Sequence, residues 1–224
     1  MARSKRQAVQ HELEFRSWGG ARRGAGRKPS GERARVSHRA RPTVAARHPR
    51  HITVRLRDGL PSLRNDVTRR VLERAFTRGA ERFGFRLVHH AILSNHLHLV
   101  VEANDRRALS RGMQGLLVRV ARALNLLWAR AGSVVADHFH ARALLTPREV
   151  RSALVYVLQN ARHHGLRVAG VDVFTSGPTF DGWKRSPNGV ARASPAAIAR
   201  TWLLSIGWRR NGLISIHEAP KRSD

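Results

Sequence analysis

The stretch Ser94-Asn95-His96-Leu97-His98-Leu99-Val100-Val101-Glu102 decides the fold class. Ser94-Asn95 is a turn signal. The residues before it, Phe85 to Leu93, are apolar or β-tolerant, and those after it read as a strand from His96 to Glu102. Two such runs around a two-residue turn predict a β-hairpin. Successive strand side chains point to opposite faces. Leu97, Leu99 and Val101 therefore share one face, under the helices, and His96 and His98 share the other.

Working outward, Ile52, Val54 and Leu56 alternate with Thr53, Arg55 and Arg57, a half-buried strand ended by Gly59 and Pro61. Val67, Val71, Ala75, Gly79 and Phe83 recur every four residues, which predicts a helix over 66–83 closed by Gly84. Downstream of the hairpin, Asp105 can cap a helix whose stripe is Leu109, Met113, Leu116, Leu117, Val120, Leu124 and Leu127, ending at Gly132. A strand is expected around 138–145. Thr146-Pro147-Arg148-Glu149 then opens another helix, with Thr as N-cap, Pro in the first turn and Glu at the capping-box position. The order β-α-β-β-α-β plus one helix predicts an α+β fold, a ferredoxin-like antiparallel sheet with an added helix that carries Tyr156.

The chain has 224 residues with 42 basic and 15 acidic side chains, a net charge of +27. That excess favours a polyanionic partner. There is no cysteine, which excludes disulfides, thiolate metal sites and cysteine nucleophiles. No apolar run approaches about 18 residues, so no membrane partner is expected. Met1 to Arg6 is charged with no apolar stretch behind it, so no secretory signal is expected. Residues 1–47 are rich in Gly, Arg and Ser and read as a basic, largely disordered arm. Residues 48–163 hold the patterned elements. Residues 164–224 are broken by Gly177-Pro178, Ser186-Pro187-Asn188-Gly189 and Ser194-Pro195, and carry an apolar anchor around Trp202 and Trp208. This extension is expected to dock on the core or on a second copy.

Two imidazoles on one face at this spacing can chelate a cation, or can be polar positions on an exposed sheet face. Tyr156 is the only tyrosine in the chain. In its helix Val150, Ala153, Leu154, Val157, Leu158 and Ala161 form the apolar stripe, and Tyr156 lies about 130° from the stripe centre. Asn160 lies about 40° from Tyr156, one turn along the same side, and Gln159 about 60° away. A phenol off the core is a surface residue, an interface contact or a nucleophile. Arg111, Arg119 and Arg122 lie opposite the second helix's stripe, and Arg148 and Arg151 open the tyrosine helix, where phosphate is also favoured. These five are the candidate contacts to a polyanion, which the resemblance below implies is DNA.

Asn95-His96-Leu97-His98-Leu99-Val100-Val101 resembles the His-hydrophobic-His signature of the HUH endonucleases, and Tyr156-Val157-Leu158-Gln159-Asn160 resembles their single-tyrosine helix. The similarity is to the REP-associated tyrosine transposases, over residues 48–163. The resemblance implies an enzyme that nicks and rejoins single-stranded or hairpin DNA through a 5′-phosphotyrosine. It implies Tyr156 as nucleophile, with His96, His98 and the amide oxygen of Asn160 holding Mg²⁺ or Mn²⁺. Asn160 departs from the Gln of some relatives. A bacterial cytoplasmic, nucleoid-associated protein follows, as does a homodimer in which the tyrosine helix serves either its own or the partner's histidines. The alternative is a non-catalytic nucleic-acid-binding protein on the same sheet.

Overall fold

The computed structural model describes residues 44–163, 165, 168–185 and 194–220. The arm expected over 1–47 therefore lies almost wholly outside the described residues. Five strands form one antiparallel sheet: β1 (Arg50–Arg55), β2 (Glu81–Arg82), β3 (Phe85–Ile92), β4 (His96–Ala103) and β5 (His140–Ala143), in the order β2-β3-β4-β1-β5. The two-residue edge strand β2 is an addition to the expected set. The other four run β3-β4-β1-β5, with every neighbour antiparallel, which is the order a ferredoxin-like sheet requires.

Helices α1 (Asp66–Gly79) and α2 (Arg106–Leu127) cover one face of the sheet. Their core holds Ile52, Val54, Leu97, Leu99 and Val101 from the strands and Leu72, Phe76, Met113, Leu116 and Val120 from the helices. Asp105 caps α2 by accepting from the Ala108 N–H at 2.7 Å. Helix α3 (Pro147–Leu158) packs on the opposite face. Thr146 accepts from the Glu149 N–H, and Glu149 reaches back to accept from the Leu145 N–H at 2.7 Å. After the short α4 (Asn160–His163), the C-terminal segment joins this second layer. It contributes Phe180, Trp183, Leu203, Leu204 and Trp208, the middle pair from α5 (Trp202–Ser205). The sheet face that carries the histidines is thus covered.

Two polar clamps hold the segment there. Glu102, fully buried, accepts from Arg86 Nε at 2.9 Å and from the backbone N–H and hydroxyl of Thr201, both at 2.8 Å. Arg64 donates to both oxygens of Asp172, at 3.0 and 3.1 Å, and lies over the Phe174 ring. Buried charges of this kind are tolerated because each is paired and hydrogen-bonded.

Three sequence expectations are corrected here. The first helix ends at Gly79, not Phe83, because its core-facing stripe is Leu72, Ala75, Phe76 and Gly79. Val67 and Phe83, on the expected stripe, are 52% and 82% exposed. Phe83 and Gly84 instead take positive φ values of 50° and 78° in the tight turn between β2 and β3. The second helix stops at Leu127, capped by Trp128, ahead of Gly132. The last strand is only four residues long, His140–Ala143.

Candidate functional site

The site forms where β4 and β1 run side by side beneath α3. The β3–β4 turn is held by two backbone bonds from the preceding loop: the Leu56 N–H donates to the Asn95 carbonyl and the Leu63 N–H to the Ser94 carbonyl, both at 2.8 Å. This fixes the start of β4. His96 Nδ1 then lies 2.8 Å from the Asn95 Oδ1. The rings of His96 and His98 stand perpendicular, with centroids 4.9 Å apart.

Register brings in residues that the motif does not contain. Thr53 on β1 lies directly opposite His98 on β4, and opposite His140 on β5. His51 lies opposite Val100 and Arg142. All of these side chains share the α3 face of the sheet. His51 stacks on His98, with centroids 5.1 Å apart and planes 27° apart. His51 Nε2 and Thr53 Oγ1 lie 3.1 and 3.2 Å from His98 Nδ1. Burial, helped by Arg142 and His140 nearby, pushes His51 down to about 4, so its ring is neutral at physiological pH.

Helix α3 delivers Tyr156 to this cluster. Its apolar stripe, Val150, Ala153, Leu154, Val157 and Leu158, is buried. Tyr156 emerges beside that stripe, half-buried, edge-on to His98 at 5.0 Å and to His51 at 5.6 Å. An open groove beside it is lined by His51, Arg142, Arg148, Arg151, Ser152 and Glu218, among others. Arg142 and Arg148 are exposed there.

Asn160 does not continue the tyrosine helix. That helix ends at Leu158 with Gln159 as its C-cap, and Asn160 begins α4. The wheel angle expected between Tyr156 and Asn160 therefore does not apply. The Asn160 side chain is wholly buried, and neither its amide oxygen nor its nitrogen has a hydrogen-bond partner among the described residues. A buried amide without partners is costly unless something satisfies it. Its hard oxygen suits Mg²⁺ or Mn²⁺. Among the described residues no three His, Asp, Glu or Cys side chains gather as a metal cluster.

The five arginines do not come together. Arg148 faces the groove. The Arg151 guanidinium is taken up by Glu218, at 2.6 and 2.9 Å, and by the carbonyls of Gly212 and Leu213. It holds the C-terminal segment, and it holds the Glu218 carboxyl below the usual carboxylate range. Arg111, Arg119 and Arg122 sit on α2, in the layer across the sheet from Tyr156, where Arg119 and Arg122 line a groove with Arg74 and Arg78 of α1. His51, Arg142 and His140 were missed by the sequence reading. Two residues before Thr53, His51 shares its face by strand alternation, but only the β1–β4 register shows that this face is also that of His98.

No protein-family model matches the chain, and no curated protein matches it in sequence. Among solved structures it is similar to a REP-associated tyrosine transposase bound to a REP hairpin, with a TM-score of 0.50 and 17% identity, covering 63% of this chain and 82% of that one. This chain shares that transposase's fold. A Deinococcus radiodurans R1 protein, solved as a "putative transposase", aligns over 60% of this chain and 100% of its own, at 12% identity and a TM-score of 0.35. Among the described residues no helix is long and apolar enough to cross a membrane.

Proposed function

We propose that this chain nicks and rejoins single-stranded DNA, beside a hairpin, through a covalent tyrosine intermediate. The observation that carries the reading is the edge-on contact of Tyr156 with His98. It joins the one phenol of the chain, which lines a groove with Arg142, Arg148 and Arg151, to His98 of the His-x-His pair. The shared transposase fold supports it.

The Tyr156 oxygen attacks the scissile phosphorus and the phenolic proton passes to solvent. The bond from phosphorus to the 3′ oxygen breaks, and that oxygen takes up a proton to become a free 3′-hydroxyl. A 5′-phosphotyrosine remains. One phosphoester replaces another, so the reverse attack rejoins the strand without an external energy source. His96, His98 and the Asn160 oxygen would hold Mg²⁺ or Mn²⁺, which when bound polarises the phosphate as a Lewis acid. Arg142 and Arg148 position the flanking phosphates by charge-assisted hydrogen bonds. Tyr156 and His98 meet within one chain.

The test is a 5′- and 3′-labelled hairpin oligonucleotide with single-stranded flanks, incubated with Mn²⁺ or Mg²⁺ and run on a denaturing gel. A protein–DNA adduct on the 5′ end of the cut, lost in EDTA, is expected. Binding with no adduct would leave a non-catalytic nucleic-acid-binding protein. Full cleavage in EDTA would remove the metal.

A further inference from the structure

The two histidines of the pair are presented in the same way, by different means. His96 Nδ1 lies 2.8 Å from Asn95 Oδ1, an oxygen that can only accept. In the neutral ring this contact matches the tautomer with the proton on Nδ1 and the lone pair on Nε2. His98 Nδ1 is bracketed by His51 Nε2 at 3.1 Å and Thr53 Oγ1 at 3.2 Å, both of which can accept. The His51 ring is also stacked on the His98 ring, so neither turns without losing the contact. The His98 Nε2 is buried.

We propose that His51 is a positioning residue. It accepts a hydrogen bond from His98 Nδ1–H, which turns the ring and sets the tautomer so that His98, like His96, offers Nε2 to a divalent cation. The inference rests on the metal reading of the pair given above. A neutral imidazole has one donor nitrogen and one acceptor nitrogen, so fixing the proton on Nδ1 leaves Nε2 as the ligand. Outer partners that orient a ligating histidine this way typically change metal affinity about 10- to 100-fold when lost. Thr53 is the lesser partner, because its hydroxyl turns freely and can donate as well as accept.

Two measurements on the full-length chain decide this. Long-range ¹H–¹⁵N correlation of the histidine rings without metal should find His98 neutral with its proton on Nδ1. A proton on Nε2 would overturn the proposal with no variant needed. Titration with Mn²⁺ alone then compares four proteins. His51→Phe keeps a ring against His98 but has no acceptor, and should bind Mn²⁺ about 10- to 100-fold more weakly than the wild type. His51→Gln restores an acceptor oxygen and should recover most of that loss, which a merely structural role would not do. Wild-type affinity in His51→Phe alongside lost binding in His96→Ala overturns the role of His51 and leaves the metal reading standing. Wild-type affinity in His96→Ala removes the metal reading, and this inference with it.

Discussion

The Tyr156 ring stands at 83° to the His98 ring of the same chain, with 5.0 Å between centroids. Helix α3 carries it there by burying its apolar stripe against Val88, Ala91 and Val100 of the sheet and Trp208 and its neighbours of the C-terminal segment. The pairing also explains why the phenol is neither on the surface nor in the core.

Tyr156→Phe should keep the ring contacts with His98 and His51 and change stability by no more than about 1 kcal/mol. DNA affinity should hold, because no charge is lost. The covalent adduct should vanish, since the chain has no other tyrosine. A denaturing gel beside a urea melt checks both parts. Persistence of the adduct would mean that a serine or histidine is the nucleophile.

Glu102→Ala should be the most damaging single change away from Tyr156. It strands the buried Arg86 and the N–H groups of Arg200 and Thr201 that Glu102 now accepts from. Breaking one side of a buried pair costs about 3–5 kcal/mol. The denaturant midpoint should fall accordingly, and proteolysis should attack residues 194–220 first. A midpoint within experimental error of the wild type would show that the clamp contributes nothing.

Acid should unfold the protein earlier than its carboxylates alone require. Burial pushes His89 down to about 4 and His90 down to about 3. Neither ring nitrogen of His90 has a hydrogen-bond partner among the described residues. The unfolded chain takes up these protons near pH 6.5 and the folded chain does not. Their stability contribution is therefore intact above about pH 6.5 and is lost as pH falls toward 4 and 3. The slope is about 1.4 kcal/mol per pH unit for each ring, or about 2 kcal/mol each by pH 5. Urea midpoints between pH 7 and 5 should fall, and His90→Leu should flatten the fall. Midpoints flat in the wild type over that range would contradict it.

Removing the first 43 residues takes away twelve basic side chains and spares Val44, which is buried in the core under α1 and α2. For single strands the salt slope is about −0.7 per phosphate contact. The truncated chain should bind a hairpin oligonucleotide more weakly, with a flatter plot of log K against log [salt] and the same cleavage position. An unchanged slope would place the arm off the DNA.

Local rules carried much of this protein. A strand alternates by stereochemistry alone, so His96 and His98 had to share a face whatever packed above them. Asp105, Thr146 and Glu149 cap the ends that their side chains predict, because capping involves only residues within one turn. The stripe of α3 set Tyr156 apart from the core by helical period. Where a local rule was stretched beyond its element it failed. The fourfold recurrence ran on from Gly79 to Phe83, but the backbone turns left-handed at Phe83 and Gly84. The wheel angle ran on to Asn160, but Gln159 closes the helix. Contacts between elements were decided only by the tertiary structure. Strand register brings His51 and Thr53 to His98 across 47 and 45 residues of chain. Layering puts Arg111, Arg119 and Arg122 on the far side of the sheet, and Glu218 with the carbonyls of Gly212 and Leu213 turns Arg151 into a clamp. Periodicity reports which way a side chain points relative to its own backbone. What it meets there depends on the backbone that arrives opposite, and that is set by the packing of the whole chain.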